Sequence, residues 1–244
     1  MLIAFISDIH GNMPALEAAV ADAMAHGARR IICAGDITGY GPFPEDVCRF
    51  LRNRRITTII GNYDQKVIDM VTQGKSAAEG MKLKKKKILQ WTAEHISSET
   101  VRYLSRLPGS LDIKLAGGQR LLVVHGSPVS VDDAIYPSIT RRGLEAKLGD
   151  IRPDILVCGH THIPFVKHIH RVLVVNCSST GHPIDGDPRP SYALVHAKPG
   201  AVPRGRIVRF DYDRDRTIEA LGKTSMPKGL QKDFADGNKR RFLQ

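Results

Sequence analysis

The chain of 244 residues is 42% hydrophobic and carries a formal net charge of +11. This length and composition suffice to bury one substantial core, so a single domain over residues 1–222 is expected. The first residues lack the features of a signal peptide, and no run approaches the roughly 18 apolar residues that span a bilayer, which argues against a membrane partner and predicts a cytoplasmic location.

The amino-terminal part alternates strands and helices. Apolar runs predict strands at 2–7, 30–34 and 56–60. Asn12 and Pro14 begin a helix that Gly27 ends, and a second helix is predicted near 44–53. This β-α-β-α-β order predicts parallel strands with right-handed crossovers and helices that cover the sheet.

Residues 64–107 form a predicted helical insertion, which either caps a site or adds a layer elsewhere. Its helices are expected near 64–72, 78–95 and 98–106. The remaining predictions are a helix near 140–148 and strands near 110–115, 119–124, 154–158, 165–169, 172–176, 191–196 and 206–211. Together they predict an α/β fold, a four-layer α/β/β/α sandwich of two mixed sheets flanked by helices. Residues 223–244 are polar and basic, and they are expected to be a flexible tail.

Five of the apolar runs end at residue types that bind metal ions. In open α/β sheets, ligands gather at the carboxyl ends of the strands, so these side chains are expected to converge on one site. The candidate metal ligands are Asp8, His10, Asp36, Asn62, His125, His160 and His162.

The chemistry of these seven residues favours a centre of two divalent transition-metal ions. Three oxygen donors and four imidazoles suit Mn, Fe, Co, Ni or Zn better than Ca. The Asp36 carboxylate has two oxygens with which to bridge two cations. Taken singly, each residue has a plainer explanation, because an aspartate after a strand often caps a turn. Their joint occurrence at five strand ends favours the metal centre.

The motif order D-x-H, G-D, G-N, H-G and G-H-T-H resembles that of the calcineurin-like metallophosphoesterase superfamily. It looks closest to the small bacterial phosphodiesterase-type members, and the motifs span residues 8–162. The resemblance implies that one ion is held by Asp8, His10, Asp36 and His162, and the other by Asp36, Asn62, His125 and His160. It also implies a phosphodiesterase or phosphatase in which a metal-bridging hydroxide attacks phosphorus in line, with catalytic roles for Asp36, Asn62, Tyr63 and His125.

Tyr63 departs from the pattern of the family. Many members have histidine directly after the motif asparagine, where it contacts phosphate and protonates the leaving group; this chain has Tyr63 after Asn62. A phenol with an unperturbed pKa of about 10 is a poorer general acid at neutral pH than imidazole. We therefore expect a preference for good leaving groups, such as those of aryl phosphodiesters or pyrophosphate-type linkages.

Four residues are candidates for contacts with a small phosphate-ester substrate. Asn12, Tyr40 and Tyr63 lie just beyond ligand motifs, and Arg141 has the guanidinium geometry that clamps phosphate. Each also has a simpler interpretation, since asparagine often caps a helix and an arginine before a helix often faces solvent.

The positive charge leaves two alternatives to a small-molecule phosphoesterase open. Much of this charge lies in the lysine run at 82–87 and in the tail, although such runs are usually solvated faces. One alternative is a non-catalytic metal-binding scaffold for acidic partners or RNA, against which the complete ligand set argues. The other is a metal-dependent nuclease. The sequence leaves homo-oligomer formation open.

Overall fold

In the computed structural model, which describes residues 1–237, two five-stranded β-sheets pack face to face. The first sheet contains, in spatial order, β10 (Arg204–Arg209), β9 (Ser191–His196), β1 (Leu2–Ile6), β2 (Arg30–Cys33) and β3 (Thr57–Thr58). The second contains β4 (Ser110–Lys114), β5 (Arg120–Val124), β6 (Ile155–Cys158), β8 (Val172–Asn176) and β7 (Phe165–Ile169). Both sheets are mixed. Strands β1, β2 and β3 are parallel in the first sheet, and β5, β6 and β8 are parallel in the second. The other two strands of each sheet form antiparallel pairs.

Eight α-helices are present in the described residues, and they surround the two sheets. They are α1 (Met13–Ala25), α2 (Pro44–Asn53), α3 (Asn62–Gln73), α4 (Leu83–Glu94), α5 (Ser98–Leu104), α6 (Arg141–Leu148), α7 (Arg214–Gly222) and α8 (Gly229–Asp236). Helices α3, α4 and α5 form the predicted helical insertion. None of the helices between residues 1 and 237 is long and apolar enough to cross a bilayer.

Strand β1 shows how the sequence pattern builds the layers. Ile3 and Phe5 face the second sheet and belong to the core between the sheets, whereas Ala4 and Ile6 face the core shared with α1 and α2. This alternation follows from the two-residue period of a strand, and it buries side chains on both faces. A third core lies between the second sheet and α6. The predicted α/β/β/α sandwich is therefore confirmed.

The chain after residue 223 differs from its prediction. The sequence predicts a flexible tail, but residues 229–236 form α8, and its Leu230 and Phe234 are buried against Ile88 and Trp91 of α4. The two apolar residues are four apart and therefore lie on one face of the helix, a signal too short to stand out in a polar segment. The remainder of the predicted tail, residues 238–244, lies outside the described residues.

Candidate metal centre

The seven candidate ligands meet at one edge of the two sheets. Strand β1 leads to Asp8 and His10, β2 to Asp36, β5 to His125, β6 to His160 and His162, and Asn62 is the first residue of α3. Six of the seven are buried, and His160 is partly exposed. Backbone bonds join the loops, since the amides of Asp8 and His10 donate to the carbonyls of Gly35 and Asp36.

The backbone at these loops is strained. Eight non-glycine residues in the described chain have positive φ, and five of them are candidate ligands: Asp8, His10, Asp36, His160 and His162. The left-handed region costs a residue with a Cβ about 1 kcal/mol or more, and such strain collects at functional sites. The loops are therefore held in a conformation that their own backbone preferences oppose.

Two glycines allow the loops to approach each other this closely. A Cβ on Gly61 would overlap the backbone and carboxylate of Asp36, and a Cβ on Gly159 would overlap Ser7 and the carboxylate of Asp8. Gly61 precedes Asn62 and Gly159 precedes His160, so the glycines of both motifs have a steric reason to be there.

One half of the centre contains His10, His162 and Asp8. The Nδ1 atoms of His10 and His162 lie 3.0 Å and 2.6 Å from the backbone carbonyl oxygens of Thr38 and His182. A carbonyl oxygen only accepts, so each Nδ1 carries a proton, and each Nε2 presents a lone pair to the centre when its ring is neutral. These two Nε2 atoms face each other at 3.2 Å. Asp8 Oδ1 lies 3.1 Å from His162 Nε2, yet this buried oxygen has no hydrogen-bond partner among the described residues.

The other half is built in the same way around His125. Its Nδ1 donates to the carbonyl oxygen of Ala34 at 2.8 Å, which directs Nε2 into the centre. There Nε2 lies 3.2 Å from Asn62 Oδ1 and 3.4 Å from Asp36 Oδ1. Asn62 Nδ2 donates to Asp132 Oδ1 at 2.9 Å, so the amide oxygen is the atom that faces His125. The His160 ring is 5.2 Å from the His125 ring, centroid to centroid.

Asp36 lies between the two halves. Its Oδ2 is 3.6 Å from His10 Nε2, and its Oδ1 is 3.4 Å from His125 Nε2. Two groups of three could each hold a metal ion: Asp8 with His10 and His162, and Asp8 with Asp36 and His125. By distance Asp8 therefore belongs to both groups, whereas Asp36 is the residue that turns one oxygen toward each half.

Burial and charge set the pKa values within the centre. Burial lowers the pKa of His10 to about 4. Burial opposes the charged form of His125 as well, but the adjacent Asp36 carboxylate outweighs it and raises the pKa of His125 to about 10. Burial would raise the pKa of Asp8 and of Asp36, yet the neighbouring histidines hold both below their ordinary values. The centre thus favours ionised carboxylates with a compensating positive charge between them.

These features fit a bound cation. Lone pairs of neighbouring acceptors repel unless a proton or a metal ion lies between them, and a buried carboxylate oxygen without a partner is costly. Histidines whose Nδ1 donates to a carbonyl are held in the orientation and tautomer of metal ligands. The donor set of carboxylate, amide and imidazole suits first-row transition metals.

A cavity of about 90 Å³ opens beside the ligands. It is lined by Asp36, Tyr40, Asn62, Tyr63, His160, His162, His182 and Ile184. The hydroxyls of Tyr40 and Tyr63 are hydrogen-bonded to each other. The Tyr40 ring stacks on His182 at 4.4 Å, and His182 packs against Phe234 of α8 at 4.9 Å, so the carboxyl-terminal helix forms an outer wall of the site.

Two of the predicted substrate contacts, Asn12 and Arg141, do not line the cavity beside the ligands. Asn12 is fully buried, and its side chain accepts from Ala15 N as the cap of α1 and donates to the carbonyl of Gly181. Arg141 is exposed on α6, pairs with Glu145 at 2.7 Å and borders a different cavity, beside the turn between β7 and β8. Asn12 therefore caps α1, and Arg141 faces solvent. Tyr40 and Tyr63 do line the cavity beside the ligands.

The sequence did not point to three residues of the outer wall. His182, Ile184 and Phe234 come from segments that follow the last ligand by at least 20 residues, and none of them belongs to a recognisable motif. The packing of α8 against α4 places Phe234 behind His182, and the His182 carbonyl accepts from His162 Nδ1.

Comparison with known proteins agrees with this architecture. The chain is 28% identical to the uncharacterized protein MJ0912 of Methanocaldococcus jannaschii, over 94% of this chain and 95% of that protein. It is 23% identical to the phosphodiesterase YfcE of Escherichia coli strain K12, over 80% of this chain and 87% of that one.

Among solved structures, a metallophosphoesterase from Sphaerobacter thermophilus aligns with a TM-score of 0.77 and 27% identity, over 97% of this chain and 100% of that one. The hypothetical protein PH1004 from Pyrococcus horikoshii OT3 shares the fold with a TM-score of 0.85 at 23% identity, over 98% of this chain and 99% of that one. The family model of the calcineurin-like phosphoesterase superfamily domain matches residues 1–200. The chain therefore belongs to the calcineurin-like phosphoesterase superfamily.

Proposed function

We propose that this protein is a hydrolase of phosphate esters, a phosphodiesterase or phosphatase, that depends on two divalent transition-metal ions. The observation that carries the proposal is the convergence of ligand atoms: His10 Nε2 lies 3.2 Å from His162 Nε2, and His125 Nε2 lies 3.2 Å from Asn62 Oδ1 and 3.4 Å from Asp36 Oδ1. Atoms of this kind approach each other only when a proton or a metal ion lies between them, and a bound ion would take the place of the protons. One ion would be held by Asp8, His10, Asp36 and His162, and the other by Asp36, Asn62, His125 and His160.

When bound, two such ions lower the pKa of water toward about 7 and neutralise charge that develops on a phosphoryl group. The protein residues supply the rest of the chemistry. Carbonyl oxygens hold the Nδ1 protons of His10, His125 and His162, which keeps the rings in place during turnover. The paired hydroxyls of Tyr40 and Tyr63 border the cavity and can donate a hydrogen bond to a phosphoryl oxygen or to the leaving group.

Three features support a small-molecule substrate and an intracellular setting. The cavity beside the ligands is about 90 Å³, which suits a single phosphate group, and the wall formed by α8 narrows the approach for a polymer. The cysteines Cys33, Cys48, Cys158 and Cys177 are buried as free thiols, as expected in a reducing compartment. We therefore propose a cytoplasmic enzyme rather than a nuclease.

Reconstitution tests this proposal. Metal-depleted protein would be loaded separately with Mn, Fe, Co, Ni or Zn and assayed on phosphate monoesters, diesters and pyrophosphate esters. At least one metal should restore hydrolysis, and aryl esters should be cleaved faster than alkyl monoesters because Tyr63 is a weak proton donor. Failure of every metal would favour the scaffold alternative.

A matched pair of variants sharpens the assay. Asp36→Asn should abolish turnover, whereas Asp46→Asn removes an exposed carboxylate of α2 that pairs with Arg49 and should leave the rate unchanged. Wild-type turnover by Asp36→Asn with two ions bound would refute the assignment of Asp36.

A further inference from the structure

Two lysine ammonium groups lie beside Asn62 and Tyr63, which line the cavity. Lys66 follows Asn62 by one turn of α3, and its Nζ lies 2.5 Å from Asp132 Oδ1, the same oxygen to which Asn62 donates. Lys85 comes from α4, and its Nζ lies 5.0 Å from the centroid of the Tyr63 ring. Helices α3 and α4 therefore bring two positive charges to the rim of the candidate metal centre.

Lys85 differs from Lys84 and Lys87 of the lysine run. Lys84 points to α8 and pairs with Asp233 at 2.7 Å, and Lys87 is exposed. Lys85 is partly buried, and no carboxylate of the described chain lies within 4.0 Å of its Nζ. Burial and the charge of Lys66 lower the pKa of Lys85. The ring of Tyr63 offers only a cation–π contact, which is weaker than a hydrogen-bonded anion.

The charges at this rim do not balance. Two carboxylates act on Lys85: Asp36, which already faces His10 and His125, and Asp132, which also pairs with Lys66. The Asp132 side chain is 62% exposed and therefore screened by water. A partly buried ammonium beside a second ammonium is an arrangement that an added anion would stabilise. The cavity itself, at about 90 Å³, has space for one phosphate group at the metal ligands. A second anionic group of the same substrate would have to lie outside it, at the rim.

We propose that Lys85 and Lys66 form a subsite for a second phosphate group, so that the substrates are pyrophosphate-type esters. This inference rests on the proposed phosphoesterase function and specifies its substrate class. One phosphate lies at the metal ligands, and the next phosphate, which becomes the leaving group, lies between the two lysines.

The subsite also explains why tyrosine suffices where many relatives have histidine. The oxygen of water bonds to the attacked phosphorus, the bond from that phosphorus to the bridging oxygen breaks, and its electron pair stays on the departing phosphate. The two protons of water are distributed between the two phosphate products and solvent. A phosphate group has a second pKa of about 6, so it departs as an anion without a proton donor. The lysines stabilise the charge that develops on it.

The test compares Lys85→Gln with Lys87→Gln, which removes the same charge from an exposed position of the same helix. The substrates are diadenosine diphosphate, a pyrophosphate ester, and bis(4-nitrophenyl) phosphate, a diester with a single phosphate. Lys85→Gln should reduce kcat/KM for the pyrophosphate at least tenfold more than kcat/KM for the aryl diester. Lys87→Gln should change neither value by more than about twofold, and Lys85→Arg should restore most of the loss.

Binding supplies a readout that needs no turnover. Wild-type protein should bind methylenediphosphonate at least tenfold more tightly than methylphosphonate, and Lys85→Gln should lose this preference while its melting temperature stays at the wild-type value. Chelation of metal by the diphosphonate is the same for both proteins and cancels in the comparison.

The outcomes separate the subsite from the proposed function. If the wild type cleaves the aryl diester but Lys85→Gln affects both substrates equally, or Lys87→Gln acts in the same way, the subsite is refuted and the phosphoesterase stands. If the wild type cleaves neither substrate but binds methylenediphosphonate through Lys85, the phosphoesterase is refuted and the anion site stands.

Discussion

Asp132 should control metal affinity although it is not a ligand. Its carboxylate can only accept, so it fixes the direction of the Asn62 amide and turns Oδ1 toward His125. We expect Asp132→Ala to weaken the ion held by His125 and Asn62 while the ion held by His10 retains its affinity. A hydrogen bond to a charged group contributes about 1.5–3 kcal/mol, but the 62% exposure of the Asp132 side chain favours the low end. The expected loss is about tenfold in the dissociation constant of one ion.

Calorimetric titration of metal-depleted protein with Zn²⁺ measures this effect. Asp132→Asn keeps an acceptor without the charge, so its affinity should lie between those of the wild type and Asp132→Ala. Asp112→Ala is the control, because it removes an exposed carboxylate that pairs with Arg120 on the β4–β5 hairpin. An equal loss at both ions, or an equal loss in the control, would show that Asp132 acts through general stability or long-range charge. An unchanged titration would refute the orienting role.

Three further predictions concern protons and packing. The pKa of His125 is raised to about 10, so metal binding must displace a proton from its ring. The apparent affinity for the ion at His125 should therefore rise about tenfold per pH unit between pH 6 and 9, and calorimetry in buffers of different ionisation enthalpy should show the proton release. An affinity that does not change with pH would contradict this. The buried carboxylate of Asp64 accepts hydrogen bonds from the backbone amides of Ile37, Thr38 and Gly61. In Asp64→Asn the side-chain N–H groups would face some of these donors. The substitution should therefore lower the free energy of unfolding, measured by urea titration, by about 2–3 kcal/mol. Phe234→Ala should cost about 3 kcal/mol in the same assay, since its ring is 1% exposed; a loss below about 0.5 kcal/mol would mean that α8 is not part of the core in solution.

The sequence predicts the sheets and the convergence of the ligands because both depend on short, repetitive signals. An apolar run followed by aspartate or histidine identifies a strand end locally, and the topology of parallel strands brings Asp8, Asp36 and His125 to one edge. The left-handed backbone at Asp8 and His10 cannot be predicted from residue type, since aspartate and histidine are enriched in this region yet adopt it in only a small minority of cases.

The errors have a different physical origin. Asn12 follows the D-x-H motif directly, yet its amide turns inward to cap α1, and only the packing of Gly181 and Thr217 around it determines that direction. The fold of α8 depends on contacts with Ile88 and Trp91, which lie about 140 residues earlier in the chain. Neither contact leaves a periodic signal in the sequence.

The proposed function requires two cations to lie between Asp36 and the two sets of histidines. Anomalous scattering from crystals grown with Zn²⁺ tests this most directly. We expect two peaks, one beside His10 and His162 and one beside His125, each about 2.1 Å from an oxygen of Asp36. A single peak, or a second peak that does not contact Asp36, would contradict it.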